Sequence, residues 1–468
     1  TGQNWKRFLS TPEKRGPGFE RGGLFKDPTI GVGMNFLVTP GGSLRGEVEV
    51  PGDKSISHRA LILSALAEGP SEVTGLLEGD DVLATASALR QVGVKIDMIE
   101  GQRCRVQGLG LTGLTAPDAP LDLGNSGTGF RLLSAVLAGQ TFASVLTGDH
   151  SLRKRPMKRI IDPLMLMGAT IHSSEGGYPP LKIYGHYPLS SIEYELPIAS
   201  AQTKSAVLLA ALNANGVTRV REPSQTRDHT ENMLTGFGCP VEVSGGVISL
   251  CGGARLSGRT FSIPRDFSSA AFFLVGALIG SESELTLPSV GINPTRTGAL
   301  DILRLMGADI QIMNHRNVAG EPIADLKVCA CRLRGIDVPS TLVALAIDEF
   351  PALAIAAACA DGKTSITGVG GLRVKESDRI RSIVDGLRAL TIDVEEYPDG
   401  MTITGGRFSG GKVDSCGDHR IAMAFALAGS VSRGPVRVMD CGLVQTSFPE
   451  FSDVARKAGL RLEVEPRS

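Results

Sequence analysis

What the chain lacks narrows its function before any motif is read. It has no excess of charge: 48 Lys and Arg stand against 49 Asp and Glu, a net charge of −1. That balance argues against broad attraction to nucleic acid or to a membrane surface. It has no membrane-length apolar run, since the longest, Ser269 to Gly280, is too short to span a bilayer. Its eight cysteines form no C-x-x-C pair, only the C-x-C of Cys329 and Cys331. They are expected to be reduced and structural, in a cytoplasmic setting. No metal-ligand spacing and no nucleotide fingerprint occur, so neither metal nor cofactor is expected; around Lys54 the G-x-x-x-x-G-K spacing is missing. Any anion site must therefore be local. At 468 residues the chain is too long for one ordinary core, and two domains are expected.

What is present is a repeat. Six helices are predicted to open at Lys54-Ser55, Asn125-Ser126-Gly127-Thr128, Ser200-Ala201-Gln202, Asp266-Phe267-Ser268, Asp348-Glu349 and Asp418-His419-Arg420. Each runs through small residues toward a glycine stop, at Gly69, Gly139, Gly216, Gly280, Gly362 and Gly434, about seventy residues apart. The 58 glycines are expected to serve largely as left-handed helix caps. Each repeat adds a second helix ending in a phrase such as Leu303 to Gly307, followed by a β-rich run; the fifth copy carries Thr391 where the others carry glycine. The unit reads strand–helix–strand–helix–strand–strand. Segments such as Leu61 to Ala67 and Ala352 to Ala360 lack a wide polar face, so these helices should be buried. The expected fold is α/β, with two inverted, inside-out barrel-like domains of three βαβαββ units each, a pseudo-sixfold repeat. Residues 34–53 with 264–468 are expected to form one domain and 54–263 the other, with a hinge and cleft between them. Residues 1–33, rich in Gly, Pro, Lys and Arg, are expected to be a tag, linker or fusion remnant.

Helix starts carry unpaired N–H groups and positive dipole charge, so six facing one cleft would trap a multiply charged anion. Lys54, Ser55 and Arg59 can share one face, as can the donors of an exposed capped helix. Gly127 would let a ligand approach the backbone, though an ordinary turn has the same residues. Five cations crowd Arg153 to Arg159, and Pro156 in a helix's first turn would aim Arg155 into the cleft. Thr226 or Asp228 could simply cap a helix beside Arg227. Asp348-Glu349 abuts an apolar helix, and partly buried carboxylates usually have partners or move protons. Lys375 and Arg379 fall at i, i+4 around Glu376, which an intrahelical ion-pair ladder would also explain. The sum describes two anionic substrates with acid–base chemistry between them.

The motifs P-G-D-K-S-I-S-H-R (Pro51 to Arg59), L-G-N-S-G-T-G-F-R (Leu123 to Arg131), K-R-P-M (Lys154 to Met157), S-A-Q-T-K (Ser200 to Lys204), D-E-F-P (Asp348 to Pro351), L-R-V-K-E-S-D-R (Leu372 to Arg379) and D-H-R-I-A-M (Asp418 to Met423) resemble the 5-enolpyruvylshikimate-3-phosphate synthase family from about Phe36 onward. The resemblance implies transfer of the enolpyruvyl group of phosphoenolpyruvate to the 5-hydroxyl of shikimate 3-phosphate, with release of phosphate. It implies that shikimate 3-phosphate is held by Lys54, Ser55, Arg59, Ser200, Ala201, Gln202, Arg227, Asp348 and Lys375. Phosphoenolpyruvate would be held by Lys54, Gly127, Arg155, Gln202, Arg379 and Arg420. Asp348, Glu376 and Lys54 would be catalytic. The chain is similar to the glyphosate-tolerant class II branch through S-A-Q-T-K, R-D-H-T-E (Arg227 to Glu231) and N-P-T-R (Asn293 to Arg296). It departs by keeping Gly127 and by having Gln445, not lysine, ahead of Ser447-Phe448-Pro449. A monomer acting on these two small molecules, with glyphosate as an inhibitor, is the family expectation. A UDP-N-acetylglucosamine enolpyruvyl transferase, a non-catalytic phosphate-binding module and an RNA-phosphate cyclase-like protein are the alternatives.

Overall fold

The computed structural model describes residues 33–318 and 320–466; apart from Gly33, the expectation made for residues 1–33 lies outside them. Five of the six helix openings are closed by a side chain. Asp53 accepts from the Ile56 N–H at 2.8 Å, Ser126 from Gly129 at 3.1 Å and Ser200 from Thr203 at 3.3 Å. Asp266 accepts from Ser268 and Ser269 at 3.2 and 3.0 Å, and Asp418 from Arg420 at 2.9 Å. Each cap is worth about 1 kcal/mol. The fifth helix, Phe350–Ala358, has Pro351 in its first turn instead, where the missing N–H has no partner to lose. Asp266 thus does what its position suggested, capping Phe267–Ile279.

Two hydrophobic cores form. The first gathers residues from Ile56 to Ile263; the second joins Phe36 to Val50 with Phe267 to Leu462. The six small-residue helices lie inside them: Leu61, Ile62 and Leu63 are fully buried, as are Ala354, Ile355 and Ala356. The strands around them alternate, as Arg103–Leu109 does, with every second residue buried.

The five four-stranded sheets among the described residues share one order. Leu121–Asp122 runs parallel to Ala143–Thr147, which pairs antiparallel with Tyr178–Tyr184, itself antiparallel to Thr170–Ser174. Glu193–Glu195, Val217–Arg221, Val247–Cys251 and Val241–Ser244 repeat it. Two edges are exchanged. Arg45–Glu47, just before the first helix, pairs with Glu284–Gly291, while Thr260–Ser262, just before the fourth, pairs with Glu68–Thr74. The segments that make this exchange bond to each other, Asp53 N to Pro264 O and Asp266 N to Pro51 O, both at 2.8 Å. Met34–Val38 inserts between Val436–Met439 and Leu462–Pro466.

The glycine stops need correcting. Gly139 and Gly280 cap their helices, but with φ of −88° and −78°, not left-handed. Helices Lys54–Leu66, Ala201–Ala211, Phe350–Ala358 and His419–Ser430 end before Gly69, Gly216, Gly362 and Gly434. Gly69, Gly216 and Gly362 are left-handed, with φ of 86–99°, but stand past the helix ends; directly after the second helices Gly93, Gly168, Gly238, Gly307 and Gly459 have φ of 95–114°, and Thr391 takes the same place at 64°. A β-branched residue there costs about 1–2 kcal/mol, partly offset by the roughly 0.4–1 kcal/mol of extra chain entropy a glycine brings to the unfolded state. Thr391→Gly should therefore raise the melting temperature in scanning calorimetry by about 1–3 °C. A lower melting temperature would show that threonine is compensated in place.

Candidate active site

Five cations converge on Asp348, a residue 8% exposed. Its carboxylate meets the Arg227 guanidinium and, at 3.1 Å, the Lys375 ammonium, with Arg379 at 3.5 Å and Arg296 at 3.8 Å. Arg420 donates to its backbone carbonyl at 3.0 Å. Arg227 belongs to the segment packed on the first core; the others surround the second. Burial alone would push the Asp348 carboxyl up, but Lys375, Arg227, Arg420 and Arg379 outweigh it and hold its pKa well below the usual carboxylate range. Glu376 is arranged likewise, with Arg379 at 2.6 Å and Arg155, from the opposite core, at 3.5 Å. Burial raises its carboxyl, yet Arg379, Arg155, His419 and Lys375 bring it well below the ordinary value. Arg379 is almost fully buried and is anchored by Asp418 at 2.7 Å. Burial lowers His419, with Lys54 and Arg420 acting in the same direction.

Several local expectations are corrected. Lys375 and Glu376 do not lie on a helix: a 3-10 turn over Gly370–Val374 ends at Lys375, and helix Arg379–Ala389 starts after the Asp378 cap. No i, i+4 ladder joins Lys375 to Arg379. Pro156 precedes its helix, Lys158–Leu166, by two residues. Arg155 nonetheless turns inward, donating to Asn125 Oδ1 at 2.7 Å and to Ser151 at 3.2 Å. Asp228 sits at the start of His229–Gly236 but makes no side-chain cap. Its carboxylate accepts instead from Asn293 at 2.7 Å, Asn232 at 3.2 Å and Thr295 at 3.3 Å.

The remaining predicted residues line the first-core side. Lys54 pairs with Asp81. Burial pushes Asp81 up, Lys54 opposes this, and Glu376 adds to it. Gln202 accepts from Arg131 at 2.8 Å and donates to Thr128 at 2.9 Å, while Arg131 also reaches the Gly127 carbonyl at 3.1 Å. A Cβ on Gly127 would come within 2.8 Å of Arg131 Nη1 and 3.0 Å of Arg155 Nη1. Arg59 is 3% exposed and its donors are taken by Thr230 and Ser205, both at 2.7 Å, and by the Ser55 carbonyl at 2.9 Å. Burial brings its guanidinium down to about 10, so it remains cationic at neutral pH. The Ser200 hydroxyl is engaged in its cap, and Ala201 offers only backbone at the same helix start. Gln445 turns away, donating to the Pro449 carbonyl at 3.4 Å.

Asp81, Arg131, Arg296 and Glu349 belong to this network without having been assigned a role from sequence. Arg296 touches Glu349 at 3.4 Å and Asp266 at 3.3 Å, and donates to Ser268 Oγ at 2.7 Å; Glu349 also accepts from Ser268. A separate cavity of about 360 Å³ at the chain crossings, lined by Thr74, Ser262, Pro264, Arg265, Ser289 and Arg316 among others, contains none of these groups. No helix among the described residues is long and apolar enough to cross a membrane.

Comparison with known proteins shows the family. Residues 38–455 match the family described as EPSP synthase (3-phosphoshikimate 1-carboxyvinyltransferase). A 3-phosphoshikimate 1-carboxyvinyltransferase of Alkalilimnicola ehrlichii is 58% identical over 430 residues, covering 92% of this chain and 96% of the relative. That of Nitrosococcus oceani is 56% identical over 92% and 97% respectively. The solved EPSP synthase of Acinetobacter baumannii superposes with a TM-score of 0.84 at 50% identity, over 92% of this chain and all of that one. With the motifs, the paired carboxylates and these likenesses pointing the same way, the chain belongs to the EPSP synthase family and is an enzyme of the 3-phosphoshikimate 1-carboxyvinyltransferase class.

Proposed function

We propose that Asp348 and Glu376 divide the proton transfers of the family's reaction, which joins the enolpyruvyl group of phosphoenolpyruvate to the 5-hydroxyl of shikimate 3-phosphate and releases phosphate. The observation that carries this reading is that Asp348, buried, and Glu376, partly buried, sit in one ion-pair network with cations from both cores. Asp348 takes the 5-hydroxyl proton as that oxygen bonds to C2 of phosphoenolpyruvate. As the bound anions take over Arg379 and Arg155, Glu376 takes up a solvent proton and gives it to the methylene carbon, leaving a tetrahedral ketal phosphate and an ionised Glu376. Glu376 then removes a methyl proton, the C–H electron pair becomes the new C=C bond, and the C–O bond to phosphate breaks. Two bound anions would share Arg227, Lys375, Arg379 and Arg155 with the carboxylates, weakening the hold that keeps both pKa values low. Lys54, Ser55, Arg59, Ser200, Ala201, Gln202, Arg227 and Lys375 are assigned to shikimate 3-phosphate. Lys54, Gly127, Arg155, Gln202, Arg379 and Arg420 are assigned to phosphoenolpyruvate. Residues 34–53 with 264–468, and 54–263, act as two inverted α/β globes of three units each that enclose the substrates and exclude water. A cytoplasmic monomer fits this reading. The test is phosphate release from phosphoenolpyruvate with each acceptor in turn; release with UDP-N-acetylglucosamine and none with shikimate 3-phosphate would sink it.

Glyphosate should bind in the phosphoenolpyruvate place. A methyl on Gly127 meets the Arg131 and Arg155 guanidiniums, and both must shift to admit it. Gly127→Ala should raise the glyphosate inhibition constant at least about tenfold, a loss of about 1.4 kcal/mol, and the phosphoenolpyruvate KM only a few-fold. Equal losses of both would contradict this geometry.

A further inference from the structure

The motifs R-D-H-T-E and N-P-T-R lie far apart in sequence, yet their side chains interlock between the two cores. The Asn293 amide donates to Asp228 at 2.7 Å and to Glu321 at 3.0 Å. Its amide oxygen is taken by its own turn, accepting from the Thr295 N–H at 2.9 Å and hydroxyl at 2.7 Å. That fixes which end of the amide faces the two acids. Glu321 also pairs with His229 Nδ1 at 2.9 Å and accepts from Asn232 at 3.3 Å. From behind, the buried Lys204 of S-A-Q-T-K holds the same segment through Glu231 at 2.8 Å and the Thr226 carbonyl at 3.3 Å. Asp228, His229 and Glu321 have the residue types of a cation site. However, Asn293 and Asn232 already turn N–H groups toward these carboxylates, so a cation would have to displace donors.

The residue next to this lock is Arg227, whose guanidinium lies on Asp348. A flexible arginine held only by its own charge would lose several rotamers to reach that position. Here the backbone that carries it is fixed at Asp228 and His229. We propose that Asn293 and Glu321 are positioning residues: they seat the Arg227 loop on Asp348 and thereby align the base with the acceptor hydroxyl. The inference rests on the reading of Asp348 as that base.

The test is a double-mutant cycle with kcat, KM for shikimate 3-phosphate and melting temperature measured for the wild type, Asn293→Ala, Arg227→Lys and the double variant. Loss of a lock that acts through Arg227 should lower kcat about tenfold in the wild-type background and less than about threefold once Arg227 is replaced. Equal fold-losses in both backgrounds overturn the proposal, as does a fallen melting temperature with unchanged kcat. Should Asn293→Ala not fold, Thr295→Val, which removes at nearly constant volume the hydroxyl that holds the Asn293 amide oxygen, carries the same cycle with a smaller effect. Asp348→Asn measured alongside separates the two readings: an active Asp348→Asn defeats the base assignment, while an inactive one with multiplicative losses defeats only the positioning role.

Discussion

Asp348→Asn and Asp348→Ala are expected to cut kcat by about 10³–10⁴-fold, the upper part of the range for a lost general base. Shikimate 3-phosphate should still bind, because removing the carboxylate frees Arg227 and Lys375 for the ligand's anionic groups. Asparagine keeps the side chain's shape, so its loss reports charge and not packing. Alanine also leaves the Arg227, Lys375, Arg379 and Arg296 cluster without its central carboxylate, which should lower the melting temperature; bound shikimate 3-phosphate should restore part of it by mass action. The pH dependence has a definite sign. A carboxyl whose folded pKa is depressed stays ionised down through that lowered value, so its stabilisation is present above about pH 4 and is lost below it. The wild-type kcat/KM profile, which reports the free enzyme, should therefore show no acid limb from Asp348 between pH 5 and 7. Single-turnover kinetics with calorimetric binding decides the matter. Near-wild-type kcat in Asp348→Asn would remove it as the base.

The repeat was legible because it is written in local chemistry. The turn after each second helix needs a left-handed residue, and a Leu-x-x-Met-Gly phrase announces one; even the exception, Thr391, shows as a break in the pattern and as a φ of 64°. The first helices misled because glycine alone does not end a helix. Those helices stop where the chain must turn into a strand, and Gly69 lies inside Glu68–Thr74. The strand pairing of the exchanged edges was hidden for a different reason, although residues 34–53 were expected to join 264–468. Arg45–Glu47 and Thr260–Ser262 each resemble an ordinary edge strand, and nothing local tells them to pair with another unit. Only crossings at Pro51–Asp53 and 264–266, bonded to each other, decide it.

The site followed the same division. Arg155, Arg379, Arg420 and both carboxylates were picked out by clustered charge and by motif resemblance; Arg379 and Arg420 do open helices, whereas Glu376 lies between a 3-10 turn and a helix. Asp81 and Arg296 were missed because their importance comes from tertiary pairing. The available signals were an acid pair, Asp80-Asp81, opening a helix after Gly79, and an arginine closing N-P-T-R ahead of an apolar helix. Arg227 shows the limit most clearly. Sequence suggests a guanidinium for a phosphate; the structure shows where it rests, on Asp348.

Glu376→Gln should also cost about 10²–10⁴ in kcat, but its failure should differ from that of Asp348→Asn. The glutamine keeps a hydrogen-bonding contact with Arg379 and Arg155 while losing the group that exchanges a proton with carbon. Deuterium from heavy water should therefore not enter the methylene group in this variant. The sharper contrast comes from supplying the tetrahedral ketal itself. Going forward, the ketal needs only a base for the methyl proton and departure of phosphate. Going back, it needs that same base and, in addition, a proton returned to the 5-oxygen. If Glu376 serves the carbon and Asp348 serves the oxygen, Asp348→Asn should convert the ketal forward and fail to return it to substrates. Glu376→Gln should do neither. Rapid-quench analysis of both variants reads this directly, and wild-type breakdown of the ketal by Glu376→Gln would transfer the carbon proton to another group.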